Sequence, residues 1–294
     1  MEKTIFAAIV GRPNTGKSTL LNAILGQKVA IVSPKPQTTR TRITGILTKD
    51  ETQFVFLDTP GIHKPQDKLG SYMIKEANGA MNDVDAVILV VESGNRVGDV
   101  EKSIIKRVDP ETPIILVINK TDISNAAQVA QTIIRYSDER EFDAVVPVCA
   151  KTGEGVEHII AELEKFACEA PWFFPEDIVT DQPERMLASE IIREKMLRLL
   201  AEEIPHGVAV VIEAFEESSK LIKIRAEIFC EKDSHKPIII GKHGDMLKKI
   251  GSMAREDMEN IFGVKVFLDL WVKVKENWRE QSAMVANLGF KDEI

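Results

Sequence analysis

The sequence predicts an α/β domain with a mostly parallel sheet and helices on both faces, followed by a small α+β domain. Three observations carry that expectation. Short apolar runs alternate with helix-periodic stretches as far as Phe166. A stretch with three prolines, Pro171, Pro175 and Pro183, then breaks the rhythm. Beyond it, apolar residues recur at every second position, the pattern of half-buried strands.

The runs Phe6–Val10, Val55–Leu57, Ala86–Val91, Ile114–Ile118 and Val145–Val148 are nearly continuous in apolar residues, as strands covered on both faces require. Helical spacing fills the intervals, at Lys17–Leu25, Tyr72–Met81, Val100–Val108, Ala126–Tyr136 and Val156–Phe166. Ile43–Leu47 and Gln53–Leu57 flank Lys49-Asp50-Glu51, which predicts one antiparallel hairpin at the sheet edge. Residues 168–184 read as a linker, apolar enough through Trp172, Phe173 and Phe174 to pack against a domain. Glu184–Ile204 is then helical, with Leu187, Ile191, Met196 and Leu200 near one stripe. Val208–Phe215, Leu221–Cys230 and Val264–Val274 read as strands, and two helical pieces are expected at about 245–250 and 252–262. On the last strand Phe267 and Trp271 share the less apolar face with Lys265 and Lys273; packing against the first helix is the favoured expectation, base stacking the other. These readings divide the chain into a first domain (1–168), a linker (169–184), a second domain (185–280) and a tail (281–294) that is an interaction helix or a frayed end.

The length of 294 residues suits two domains of about 150 each. With 44% hydrophobic and 29% charged residues, a disordered chain is excluded. No run approaches the roughly 18 apolar residues of a membrane span, and Met1-Glu2-Lys3-Thr4 leads straight into a strand, so no signal peptide is expected. Cys149, Cys168 and Cys230 stand at no metal or redox spacing and read as free thiols in a reducing, cytoplasmic setting. The net charge of −8 excludes a non-specific nucleic-acid coat. One window is locally basic: residues 236–249 hold Lys236, Lys242, Lys248 and Lys249 against Asp245 alone.

Gly11-Arg12-Pro13-Asn14-Thr15-Gly16-Lys17-Ser18 follows a strand and opens a helix, the context a phosphate-binding loop requires. Its glycines let backbone amides turn toward phosphate oxygens, and the helix N-terminus adds favourable partial charge. Lys17 would reach the outer phosphates and Ser18 would bind Mg²⁺. Asp58-Thr59-Pro60-Gly61 ends a buried strand at the same corner, where the carboxylate suits a Mg²⁺ contact and the Gly61 amide a γ-phosphate. Asn119-Lys120-Thr121-Asp122 follows another strand. A carboxylate offers two acceptors, matching the ring N–H and exocyclic amine of guanine, whereas adenine presents an acceptor there. That mismatch predicts GTP over ATP. Cys149-Ala150-Lys151 follows the next strand and is placed to back the base with the Ala150 amide.

In this order, the motifs resemble the translation-factor-like class of P-loop GTPases. Pro13-Asn14, Gln37-Thr38-Thr39-Arg40 and Ile62 narrow the resemblance to a group with a hydrophobic residue where Ras-like enzymes have a catalytic Gln. The resemblance implies that Thr38 or Thr39 binds Mg²⁺ in the GTP state, with Thr39 favoured as the second Thr of its pattern. It implies metal contacts from Ser18, Thr39 and Asp58, and hydrolysis supported by Lys17, Thr39, Asp58, Gly61 and Asn14. Asn14 would help to hold a K⁺ ion bridging the phosphates. Nucleotide contacts extend over Gly11, Arg12, Pro13, Asn14, Thr15, Gly16, Lys17, Ser18, Thr19, Asp58, Thr59, Pro60, Gly61, Ile62, Asn119, Lys120, Asp122, Cys149, Ala150 and Lys151. Switch loops at about 30–42 and 58–72 would order around the γ-phosphate.

In the second domain, Gly241-Lys242-His243-Gly244 links an apolar segment to a helix inside the basic window. Two glycines let a nucleic-acid backbone approach, and Lys242 with the helix N-terminus supplies charge. The arrangement resembles a KH domain of the second type, so Gly241, Lys242, His243, Gly244, Lys248 and Lys249 are the expected RNA contacts, with a solvated His243 equally compatible. A GTPase followed by this domain resembles, over the whole chain, the Era family of bacterial GTPases. That resemblance implies a GTP/GDP switch that binds the 3′ region of 16S rRNA, assists small-subunit maturation, and associates loosely with the inner membrane as a monomer. Cys149, where Ser is common, and Thr15 are minor departures. The alternative is a regulatory GTPase whose second domain binds a protein or membrane partner. A metabolic phosphotransferase is poorly supported, because no His, Cys or carboxylate cluster offers an acceptor-binding base.

Overall fold

The computed structural model describes residues 1–63, 65–94 and 96–290. Lys64, within the expected second switch loop, and the last four residues of the expected tail lie outside the described residues. The chain forms two compact units, one of Met1–Val32, Thr39–Lys64 and Met73–Asp181, the other of Ser33–Thr38, Pro65–Tyr72 and Gln182–Ile294.

The first unit starts with β1 (Lys3–Val10), α1 (Lys17–Leu25), β2 (Ile43–Lys49) and β3 (Thr52–Asp58). Helix α2 (Lys68–Gly79) straddles the division, and β4 (Ala86–Glu92), α3 (Asp99–Arg107), β5 (Ile114–Asn119), α4 (Ala126–Ser137), β6 (Ala144–Pro147), α5 (Val156–Glu164) and the two-residue β7 (Cys168–Glu169) follow. The sheet runs β2-β3-β1-β4-β5-β6, with β7 also on β1. All main pairings are parallel except the β2–β3 hairpin. One face buries Ile9, Leu20, Phe54, Phe56 and Ile159; the other buries Val10, Val87, Leu89, Ile104 and Tyr136. Helices on both faces explain why these strands read as unbroken apolar runs.

Part of the expected linker belongs to this unit. Strand β4 pairs with β1 only from Ala7 onward, which leaves Lys3 and Thr4 to pair with Glu169 and Cys168. Gln53 continues the attachment: its Oε1 accepts from the amides of Phe173 and Phe174, and its Nε2 donates to the Phe174 carbonyl at 2.8 Å. Helix α2 begins four residues before the expected Tyr72, because Asp67 accepts from the Gly70 amide at 2.6 Å and caps it.

The second unit contains α6 (Glu184–Leu199), β8 (Ala209–Glu217), β9 (Leu221–Cys230), α7 (His235–Ile240), α8 (Asp245–Phe262), β10 (Lys265–Val274) and α9 (Ser282–Asn287). Its sheet order is β10-β9-β8, with β9 antiparallel to β8 and parallel to β10. Leu187, Ile191, Met196, Ile224, Ile228, Ile250 and Met258 share its core.

Two expectations for this unit are corrected. The helical pieces at 245–250 and 252–262 are the single helix α8, and the second intervening helix is α7, formed by the segment read as merely apolar. Gly251 does not break α8; a β-carbon there would stand 3.3 Å from Leu270 Cδ1, so glycine lets the helix lie close to β10. Pro237 is tolerated in the first turn of α7, where its missing N–H has no helical partner to lose. Phe267 and Trp271, expected to pack against the first helix, are instead 60% and 58% exposed. The helices cover the opposite face, where Val266 and Val272 are buried.

Candidate functional site

The sheet brings the nucleotide motifs to one edge, because each follows the C-terminal end of a parallel strand. Register places Ile9 beside Asp58, so the carboxylate stands next to the start of the phosphate loop. Gly11 sits at φ 150, and a β-carbon there would come within 2.4 Å of the Val90 carbonyl oxygen. Gly61 is packed equally tightly, with its missing β-carbon 2.6 Å from Pro13 Cα. Ile62 N–H donates to the Gly11 carbonyl at 3.1 Å, and Thr59 Oγ1 donates to the Ile9 carbonyl at 2.8 Å. The loops at 11–18 and 58–62 are therefore packed directly against each other.

Lys17 is buried, and its Nζ donates to the carbonyls of Arg12 at 2.9 Å and Gly11 at 3.2 Å. Burial lowers its pKa to about 8, against the pull of Asp58. Asp58 is buried as well, and burial raises its pKa to about 6, opposed by Lys17, the Ser18 hydroxyl and the Thr59 amide. Ser18 Oγ donates to Asp58 Oδ2 at 2.6 Å and stands 2.8 Å from Thr39 Oγ1. Asp58 Oδ1 is buried and accepts no hydrogen bond. Three hard oxygen donors with one unsatisfied carboxylate oxygen fit a Mg²⁺ ion. Thr38 is turned to a local role, its Oγ1 donating to the Lys35 carbonyl at 2.7 Å.

The Asp58 shift gives a pH prediction. In the free protein the carboxyl is neutral below about pH 6, and a Mg²⁺ ion must displace that proton. Mg²⁺-dependent tightening of nucleotide binding is therefore present above pH 6 and lost as pH falls. Its affinity should drop by about tenfold per pH unit below that point. Titration of a fluorescent guanine nucleotide with and without Mg²⁺ across mildly acidic to neutral pH checks this; a flat Mg²⁺ effect would contradict it.

Asn119 is buried and is used mostly as a latch. Its Nδ2 donates to the Thr15 carbonyl at 2.8 Å, and its Oδ1 accepts from the Lys120 and Ala150 amides at 2.8 and 3.0 Å. One side chain thus ties the phosphate loop to both base-side loops. The Ala150 amide, expected to back the base, is engaged by Asn119 here. Gly16, at φ 95, leaves room for this amide: its β-carbon would lie 2.2 Å from Asn119 Nδ2. Lys120 reaches back to the Asn14 carbonyl at 2.7 Å and pairs with Glu92. Asp122 lies exposed on the short turn Thr121–Ile123, and Lys151 is exposed after the buried Cys149 and Ala150. Arg12, read as a nucleotide contact, has its Nε 2.5 Å from the buried Glu101. The patterns that flagged the loops carried no trace of Glu92 or Glu101, which lie far away in sequence.

In the second unit, Gly241 to Gly244 link α7 to α8. Gly241 sits at φ 78 with its missing β-carbon 2.7 Å from the Met246 amide nitrogen, so this turn requires glycine. Gly244 sits at φ 83 facing open space. Lys242, His243, Lys248 and Lys249 are exposed. A groove of about 580 Å³ runs from Gly244 between α8 and β10, lined by Leu247, Lys248, Ser252, Arg255, Phe267 and Leu270 among others. Ser252 and Arg255 were missed by the sequence reading. Their signal was available in retrospect, since 248, 252 and 255 share one helix face.

The comparisons agree with this architecture. The family model described as 50S ribosome-binding GTPase matches residues 6–120, and the KH domain model matches residues 203–279. The chain is 47% identical to a GTPase Era of Clostridium kluyveri, over 99% of this chain and all of that protein. It belongs to the Era GTPase family. A GTPase Era of Caldanaerobacter subterraneus is 48% identical over 97% of both chains. Among solved structures, Era bound to MgGDPNP and nucleotides 1506–1542 of 16S ribosomal RNA superposes with a TM-score of 0.94 at 38% identity, covering 99% of each chain. A single-residue variant of Aquifex aeolicus Era bound to GDP and aluminium fluoride matches with the same TM-score and identity, over 98% of this chain and 99% of that one. The fold expected from the Era resemblance, a P-loop GTPase domain followed by a KH domain, is the fold found.

Proposed function

We propose that this protein binds GTP with Mg²⁺, hydrolyses it to GDP and phosphate, binds the 3′ region of 16S rRNA and assists maturation of the small ribosomal subunit. The observation that carries the reading is the full-length likeness to Era solved with MgGDPNP and an rRNA fragment, together with an intact phosphate loop and Gly-Lys-His-Gly turn. Ser18, Thr39 and Asp58 would hold the Mg²⁺, which supplies charge neutralisation between the outer phosphates. Lys17 balances charge on the same oxygens, Gly61 offers its amide to the γ-phosphate, and Asp122 reads the base. A cytoplasmic, monomeric protein with loose peripheral attachment to the membrane is part of the proposal by resemblance; no helix among the described residues is long and apolar enough to cross a membrane.

In-cell crosslinking to RNA with sequencing, comparing the wild type with Gly244→Asp, tests the RNA half. Gly244 faces open space, so Asp fits sterically, but a carboxylate enters the path of the backbone at a residue of positive φ. Crosslinks should concentrate at the 3′ end of 16S rRNA and fall at least about tenfold in the variant. Absence of enriched RNA, or a pattern indifferent to Gly244, favours a second domain that binds a protein or membrane partner.

Asn14 carries the remaining proposal. It sits exposed in the phosphate loop at φ 65, and by the Era resemblance it would face the outer phosphates. Hydrolysis should be faster in K⁺ than in Na⁺ buffer, and Asn14→Ala should erase the difference. Equal wild-type rates in both salts would remove K⁺ from the mechanism.

A further inference from the structure

Helices α6, α7 and α8 share the core on one face of the second unit's sheet, and β10, an edge strand, turns its other face away from that core. On that face Phe267 and Trp271 are each more than half exposed. They stand four residues apart on one strand, about 13 Å along it. Each ring is set among charges. Register puts Phe267 opposite Lys223, Asp269 opposite Arg225, Trp271 opposite Glu227 and Lys273 opposite Phe229. The carboxylates nearest the rings are matched, Asp269 by Arg225 at 3.8 Å and Glu227 by Lys273. Trp271 Nε1 donates to Asp269 Oδ2 at 2.9 Å, which holds the indole in place.

We propose that this face is a second RNA-contacting surface, on which Trp271 and Phe267 stack unpaired bases of the RNA held in the α8–β10 groove. The inference rests on the RNA-binding reading above. Continuity favours it, because Phe267 also lines the groove. A strand leaving the groove over the β10 edge therefore meets Phe267 and then Trp271. The chemistry of the face favours it too. Two separate rings, divided by Asp269 and flanked by Lys265, Lys223, Arg225 and Lys273, do not make the continuous apolar stripe that a docking helix needs. They match a ligand whose flat π-faces are joined by an anionic backbone. Aromatics on a sheet face stack two or three bases in another class of RNA-binding module. Because the rings are already exposed and one is hydrogen-bonded, stacking costs little reordering.

The test uses the full chain with a GTP analogue and an RNA of 16S nucleotides 1506–1542, the fragment bound in the Era complex, in fluorescence-anisotropy titrations. Trp271→Ala should weaken binding about tenfold, and Trp271→Tyr should restore most of it. The salt dependence should keep its slope in Trp271→Ala, because no phosphate contact is lost, whereas Lys242→Ala should reduce it by about one. Melting temperature serves as the folding control. If Trp271→Ala binds like the wild type while Gly244→Asp does not, the sheet face is no RNA surface although the RNA reading stands. If neither the wild type nor any variant binds, the RNA reading itself falls and takes this inference with it. An unchanged affinity with a changed mass in light scattering would overturn the inference and assign the face to contact between copies.

Discussion

Replacing Lys17 by alanine is expected to lower single-turnover GTP hydrolysis by at least about a thousandfold and to weaken GTP binding in parallel. The ammonium is caged by the carbonyls of Gly11 and Arg12, 3.2 and 2.9 Å away, with Asp58 as its charge partner. In so buried a place its charge would act on bound phosphates with little screening, and water could not replace it. Burial has already lowered its pKa to about 8, so it is held charged at neutral pH at some cost. Triphosphate oxygens would relieve that cost. Lys17→Arg should not rescue, because the planar guanidinium cannot thread the cage that fits a single nitrogen. Rapid-quench hydrolysis and equilibrium titration with a fluorescent GTP analogue measure both effects; a loss well short of tenfold in each would show that the loop amides bind phosphate without Lys17.

Asp122→Asn should turn the base preference over. In the proposed role the carboxylate would accept from both the ring N–H and the amine of guanine, whereas the amide that replaces it could accept from only one of them. A mismatched polar pair in a base site costs discrimination of about a thousandfold or more, or roughly 4 kcal/mol. Xanthine carries a carbonyl where guanine carries its amine, so the new N–H₂ donor finds an acceptor. Hydrolysis of GTP at fixed low concentration should collapse while hydrolysis of xanthosine triphosphate rises. Asp122 lies exposed on a short turn, so the substitution should leave the melting temperature within about 1 °C. Retained GTP preference would mean that the base is read elsewhere, with Asn119 and Lys151 the next residues to change.

The parts legible in the sequence were those whose chemistry is local. Gly11 to Ser18 need particular backbone angles and hydroxyls within one short stretch, and the strand before and helix after them are written in the same stretch. Asp58, Asn119 and Asp122 were legible for the same reason, since each follows the apolar run that becomes its strand. Short-range devices were harder to see. The capping of α2 by Asp67 and the uninterrupted course of α8 through Gly251 depend on a hydrogen bond or a packing distance that residue type alone leaves open.

What the sequence determined by itself was the fold class, the nucleotide class and the positions of both glycine-rich turns, because periodicity and local backbone requirements are properties of neighbouring residues. Tertiary structure decided the rest. Only packing brings Thr39 to 2.8 Å from Ser18 while Thr38 turns to Lys35. Only the fold makes Asn119 the common fastening of Thr15, Lys120 and Ala150. The face of β10 that carries Phe267 and Trp271 is exposed because the helices pack on the other face, and alternation along a strand separates two faces without saying which one is covered.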